Sequence, residues 1–205
     1  MNRVATELIE TGIKAVDLYA PLPKGGSLAI HGDPGAGQIV LACEIVHNIC
    51  SRHPVKCVFH VEDDAEQLRS ALRESGVEAE VVADEGPTRA DLLSGDEVLG
   101  RLVLADTAQA DSWVVLKISL LKTGQLPAVD ASQSGTRLDL GDHGEVARSA
   151  REAIGAATGV RAGGVLAFLR QWFHVAEPWT GQPAEYSTFD ETIAGVRQLL
   201  GTRST

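Results

Sequence analysis

Gly32 and Gly37, in the run GDPGAGQI, stand at the spacing of a phosphate-binding loop, Gly-x-x-x-x-Gly-Lys-Ser/Thr. In such a loop the backbone N–H groups at a helix N-terminus face an anion. Here Gln38 occupies the lysine position and Ile39 the hydroxyl position. The candidate phosphate contacts are therefore Gly32, Asp33, Pro34, Gly35, Ala36, Gly37, Gln38, Ile39 and Val40, mostly through the backbone. A lysine-to-phosphate bond is charge-assisted and worth roughly 1.5–3 kcal/mol, so its loss leaves the amide contacts standing. Phosphoryl transfer suffers more, because it depends on positioning and charge neutralisation, which the lysine and a hydroxyl-bound magnesium ion supply. Asp33, Glu62, Asp63 and Asp64 add negative charge nearby. The expectation is a grip without chemistry. The same run also reads as a plain strand-to-helix turn.

The surrounding chain has the elements to position such a loop. The apolar run from Ser27 leads into it, and the helix from Gln38 carries Ile39, Val40, Ala42, Ile45, Val46 and Ile49 at helical spacing. Residues 1–26 read as a polar lead-in with a turn at Pro21, Pro23, Gly25 and Gly26. Further strands are expected at Val55–Val61, Glu78–Ala83, Arg101–Ala105 and Leu126–Asp130. Between the first two, Asp63 and Glu66 suggest a capping box for a helix ending at Gly76. Residues 84–100 are acidic and broken by Gly86, Pro87 and Gly95, with Thr88–Leu93 able to wind a helical turn or two. Asp111–Lys122 reads as a helix stopped at Gly124, although its β-branched residues leave a strand open. Helices near Glu145–Ala157, Val165–Phe173 and Thr188–Leu200 close the chain. Strands alternating with helices predict an α/β fold: a mainly parallel sheet flanked by helices, with a short C-terminal helical segment. Ligands of such sheets sit at the carboxyl ends of the strands. Gly32, Glu62 and Asp106 each lie at such an end.

Composition narrows the function. A chain of 205 residues with 44% hydrophobic and 22% charged residues fits one globular unit. The net charge of −10 leaves no basic stripe for nucleic acid. Cys43, Cys50 and Cys57 show no metal-ligand spacing and read as buried reduced thiols. Glu7, Glu10 and Lys14 interrupt any apolar leader, and no segment is long enough to span a bilayer, so a cytoplasmic protein without membrane insertion is expected.

Longer stretches carry a resemblance. ETGIKAVDLYAPLPKGG followed by GDPGAGQIVL is similar to ETGIKVVDLLAPYAKGG and GGAGVGKTVL of the catalytic beta subunit of rotary ATP synthases. PAVDASQSGTR resembles that family's PAVDPLDSTSR, and FLRQWFHVAEPWTG resembles FLSQPFQVAEVFTG. The blocks stand in the family's order and cover about half of the chain. The resemblance implies a RecA-like nucleotide-binding domain over residues 1–140, with residues 141–205 as a small helical segment packed on it. It also implies a truncated relative, because neither the family's N-terminal β-barrel nor its long rotor-facing helical segment has a counterpart in the sequence.

The resemblance implies roles for single residues as well. Glu62 matches the glutamate that polarises the attacking water, although Asp63 replaces the arginine after it. Asp106 fits the carboxylate that reaches magnesium through water. Leu126, Phe173, Ala176 and Trp179 match the pocket for the base, and Arg137 matches an arginine without an assigned role. Each has a plainer reading: Glu62 and Asp63 as a helix cap, Asp106 as a turn cap, Phe173 and Trp179 as ordinary core or interface aromatics. The expected function is a non-catalytic nucleotide-sensing or structural module that takes ATP or ADP, with no side chain at position 39 to hold Mg2+. It would assemble with copies of itself or with another RecA-like subunit. The alternative is an active or weakly active ATP hydrolase or synthase-like enzyme that borrows a cation from Lys14, Lys24, Arg137 or a partner's residue.

Overall fold

The computed structural model describes residues 7–63, 65–106, 108–155 and 160–201. The first elements are β1 (Leu8–Ile9), α1 (Lys14–Tyr19), β2 (Leu22–Pro23), β3 (Gly26–Gly32) and α2 (Gln38–Cys50). Next come β4 (Lys56–Val61), α3 (Ala65–Glu74), β5 (Glu80–Ala83), β6 (Arg89–Ser94), β7 (Glu97–Val103) and β8 (Ser112–Leu116). The chain continues through α4 (Ile118–Lys122), β9 (Gly135–Thr136), α5 (Asp142–Gly155) and α6 (Val160–Leu169). A 3₁₀ turn at His174–Ala176, α7 (Glu177–Thr180) and α8 (Phe189–Leu200) complete it.

One seven-stranded sheet, in the order β5-β4-β6-β7-β3-β8-β9, organises the molecule. β3 pairs in parallel with β7 and β8, and β4 with β5, while β6 and β9 run against their neighbours. Five of the seven strands therefore point one way, which makes the sheet mainly parallel and flanked by helices, as expected. β3 is central: Leu28, Ala29 and Ile30 are fully buried, so both of its faces are covered. α2 follows the loop directly and buries Leu41, Ala42, Ile45, Val46 and Ile49 in the core. α3 is amphipathic, with Leu68 and Leu72 inward. Its end is fixed where Gly76, at φ 66°, lets the Val77 N–H return to the Leu72 carbonyl. The helix begins at Ala65, after Asp64, which lies outside the described residues, and Glu66 pairs with Arg69 at 3.1 Å and not with the expected cap residue Asp63.

Three stretches differ from expectation. Residues 84–100 hold the hairpin strand β6 and the start of β7, not an irregular run with a helical turn. Asp91 stands opposite Arg101 and ion-pairs with it, Ala90 and Leu92 are fully buried, and Gly95 at φ 60° closes a two-residue turn. Tertiary pairing overrides a segment whose charges mask its alternation. Residues 112–116 form β8, not a helix, so the β-branched run SWVVL decides in favour of strand and only 118–122 coil. Leu126–Asp130 is no strand: Val129 makes a single bridge to Leu116, and Pro127 within the run limits further pairing.

The lead-in is also less polar than its composition suggests. Ile13, Val16, Leu18, Tyr19 and Leu22 are all buried, because α1 lies beneath the C-terminal helices. Asp17, fully buried, accepts bonds from the Thr11 N–H, the Thr11 hydroxyl and the Gly12 N–H, which fixes the turn into α1. Three closing helices appear, but the second spans Val160–Leu169 and not Val165–Phe173, so residues 170–173 lie beyond its end, and Ala157 lies outside the described residues. α8 opens on a capping box between Thr188 and Glu191, and Gly195 lets it approach α6 so closely that a Cβ would sit 2.3 Å from Phe168 Cζ. The cysteines are free thiols; burial raises Cys43 to about 12 and pushes Cys50 and Cys57 up as well. Among the described residues no helix is long and apolar enough to cross a membrane.

Candidate functional site

The glycine loop runs from the end of β3 to the first turn of α2. Its backbone needs glycine at particular points. Gly32 has φ 134°, and a Cβ there would lie 2.1 Å from the Leu116 carbonyl oxygen of the neighbouring strand. Gly35 and Gly37 have φ 78° and 96°, the left-handed region that lets the chain turn sharply into the helix. The first amides of α2 have no intrahelical acceptor, as at any helix start. Gln38 does not reach outward: its Nε2 donates to the Asp33 carbonyl at 2.9 Å, tying the loop to itself. Ile39 is exposed and offers no metal ligand.

Beside the loop lies a cavity of about 250 Å3. Gly35, Ala36, Gly37 and Val40 form one wall, and Leu126, Phe173 and Ala176 form the other. Two groups of residues chosen from separate parts of the sequence thus meet around one space. Whole small-molecule sites run to roughly 300–1,000 Å3, so this one suits part of a ligand, such as a flat ring. Its lining is almost wholly apolar, and Leu116, Leu121, Pro127 and Ala128 extend it.

The wall opposite the loop is held by α2 itself. Glu44 Oε2 accepts the Val175 N–H at 3.0 Å, and the ring of His47 stacks on that of His174 with centroids 3.9 Å apart. Burial raises the Glu44 carboxyl above its ordinary range, and its Oε1 finds no partner. Burial, with His174 alongside, lowers the His47 imidazole.

Trp179 is a correction. It sits in the single turn of α7, ended by Gly181 at φ 63°, and is 66% exposed, outside the cavity. Trp172, half-buried against Arg170, takes a place in the lining instead. Trp179 was chosen through the resemblance of its block, whereas Trp172 directly precedes Phe173 in the chain.

The acidic candidates divide. Asp106 follows β7, the immediate neighbour of β3, and lies 3.9 Å from the Nε2 of His31, just before the loop. Glu62 is exposed at the end of β4, and β6 and β7 separate that strand from β3. At about 4.8 Å per strand, the three intervals put it about 14 Å across the sheet from the loop's strand. Among the described residues no three His, Cys, Asp or Glu side chains gather to hold a metal.

None of the cations named from sequence reaches the loop. Lys14 pairs with Glu185 and lies over the Phe168 ring, Lys24 pairs with Glu7, and Arg137 donates to the Ala108 carbonyl. A cation that does stand beside the loop is Lys117, whose Nζ is 3.7 Å from Asp33 Oδ1. Sequence reasoning missed it because 111–122 reads as a helix, which hides that residue 117 leaves a strand next to β3.

No family model matches the chain. The ATP synthase subunit beta of Coprothermobacter proteolyticus is 40% identical over a 74-residue alignment that takes in 34% of this chain and 16% of that relative. The structure of the ATP synthase subunit NeqB from Nanoarcheaum equitans superposes with a TM-score of 0.66 at 12% identity, covering 98% of this chain and 77% of the other. The chain is thus similar in sequence, over a limited stretch, to one ATP synthase subunit and shares the fold of another.

Proposed function

We propose that the protein is an ATP synthase beta-like module that binds ATP or ADP at a degenerate phosphate-binding loop without turning it over. Residues 1–140 would form a RecA-like unit with residues 141–205 packed on it. The single observation that carries the reading is the cavity walled on one side by Gly35–Gly37 and on the other by Leu126, Phe173 and Ala176. A base in the apolar space would leave its phosphates at the start of α2, where unpaired amides attract anions. Gln38 folded onto Asp33, the exposed Ile39 and the distance of Glu62 all speak for binding rather than hydrolysis. The module would serve as a nucleotide sensor or assembly piece, joined to copies of itself or to another RecA-like subunit.

Isothermal titration with ATP and ADP, with and without Mg2+, tests this. Saturable binding that Mg2+ hardly alters, and that Ala176→Trp abolishes by filling the cavity, is the expected result. Absence of binding would leave only a structural role. Strong Mg2+-dependent turnover would overturn the reading, and turnover that Glu62→Gln leaves unchanged would exclude that carboxylate from the chemistry.

A further inference from the structure

We infer that Lys117, in place of the absent loop lysine, is the residue that meets the ligand's phosphate, and that Asp33 holds it in reserve. This rests on the nucleotide reading above. β3 and β8 are paired with Gly32 opposite Leu116, so Lys117 and Asp33 leave the sheet side by side. Asp33 is anchored there: its N–H donates to the Leu116 carbonyl at 2.9 Å, and its Oδ2 accepts the Ile118 N–H at 3.0 Å. Its other oxygen, Oδ1, faces the Lys117 ammonium at 3.7 Å, beyond hydrogen-bond range. The carboxylate is fixed and the cation is loosely held.

Lys117 does not itself line the cavity, but its chain neighbours do. Leu116 before it and Leu121 after it both line that space, together with Gly35 to Gly37 of the loop. A lysine ammonium on its four-carbon stem carries three donors and can turn from one anion to another within a few ångströms. The remaining loop side chain able to donate, Gln38, is spent on the Asp33 carbonyl. A phosphate at the loop would compete with Asp33 for the ammonium, so the ion pair seen here sets a threshold on binding. Charge at the site then comes from the sheet neighbour and not from the helix.

Titration of ADP and of adenosine into the wild type, Lys117→Ala, Lys117→Arg and Asp33→Asn tests the assignment. Lys117→Ala should weaken ADP by at least about tenfold, the scale of a lost charged hydrogen bond, and leave adenosine unchanged. Lys117→Arg should restore most of the ADP affinity, and Asp33→Asn should tighten ADP by removing the competitor. ADP binding to Lys117→Ala as tightly as to wild type overturns the inference, as does weaker ADP binding by Asp33→Asn. Wild type that binds neither ADP nor adenosine overturns the nucleotide reading itself, a result distinct from either.

Discussion

Gln171 donates through Nε2 to the Gly12 carbonyl at 2.6 Å, across more than 150 residues of sequence. The same amide nitrogen donates to the Glu185 carbonyl at 2.7 Å, and its Oε1 accepts the Lys14 N–H at 2.9 Å. One side chain, 1% exposed, thus ties the turn into α1, the segment after α6 and the approach to α8. It also lines the cavity, so the floor of the candidate site and the joint of the fold are one residue.

Gln171→Ala would strand the Glu185 carbonyl and the Lys14 N–H, and would leave the Gly12 carbonyl with the Ser187 N–H alone. Each buried group so stranded costs about 1–3 kcal/mol, and water cannot fully replace them. We expect a loss of about 3 kcal/mol in urea unfolding. A loss under about 0.5 kcal/mol, the range of ordinary surface changes, would show that the joint is redundant.

Gly32 and Gly35 should respond differently to alanine. At Gly32 the added methyl meets the backbone of Leu116 at 2.1 Å, and backbone cannot swing aside. At Gly35 the nearest atom is Ile118 Cδ1 at 3.9 Å, so only the left-handed backbone opposes the change. Gly35→Ala should cost about 1 kcal/mol, and Gly32→Ala more than about 3 kcal/mol. Chemical denaturation of the pair settles it, and equal costs would mean that the β3–β8 contact yields.

His47 gives the fold a pH dependence of definite sign. Its folded value lies below the ordinary 6.5, chiefly from burial and then from His174, so the unfolded chain takes up a proton first on acidification. The stabilisation is complete above that ordinary value and is lost as pH falls through it towards the folded one. Asp17, raised to about 7 by burial, and Glu44, also raised by burial, act in the opposite sense and strengthen the fold as pH falls. The comparison with His47→Gln isolates the ring. Between about pH 7.5 and 5.5 the wild type should lose more, or gain less, melting temperature than the variant. Parallel profiles would show that the stacked pair carries no linkage.

How much of this was legible follows from where the information lies. The loop and α2 were readable because glycine spacing and a helical apolar stripe are local signals. Leu126, Phe173 and Ala176 were reached through short blocks of resemblance, and the cavity brings them together. The β6–β7 hairpin was not readable, because Asp91 and Arg101 look like solvated charges until each is placed opposite the other. Lys117 was hidden for a related reason: its role depends on which strand lies beside β3, and strand order is a property of the whole sheet. Trp179 was misassigned because the single turn of α7 leaves its side chain exposed, and the matched block does not encode that exposure.

The hairpin between β4 and β3 also bears on what two substitutions could rebuild. Gln38→Lys and Ile39→Thr would place an ammonium and a hydroxyl at the start of α2, yet Glu62 would stay three strands off. A change in the loop alone would therefore not bring that carboxylate to it, because its distance is set by the order of the strands.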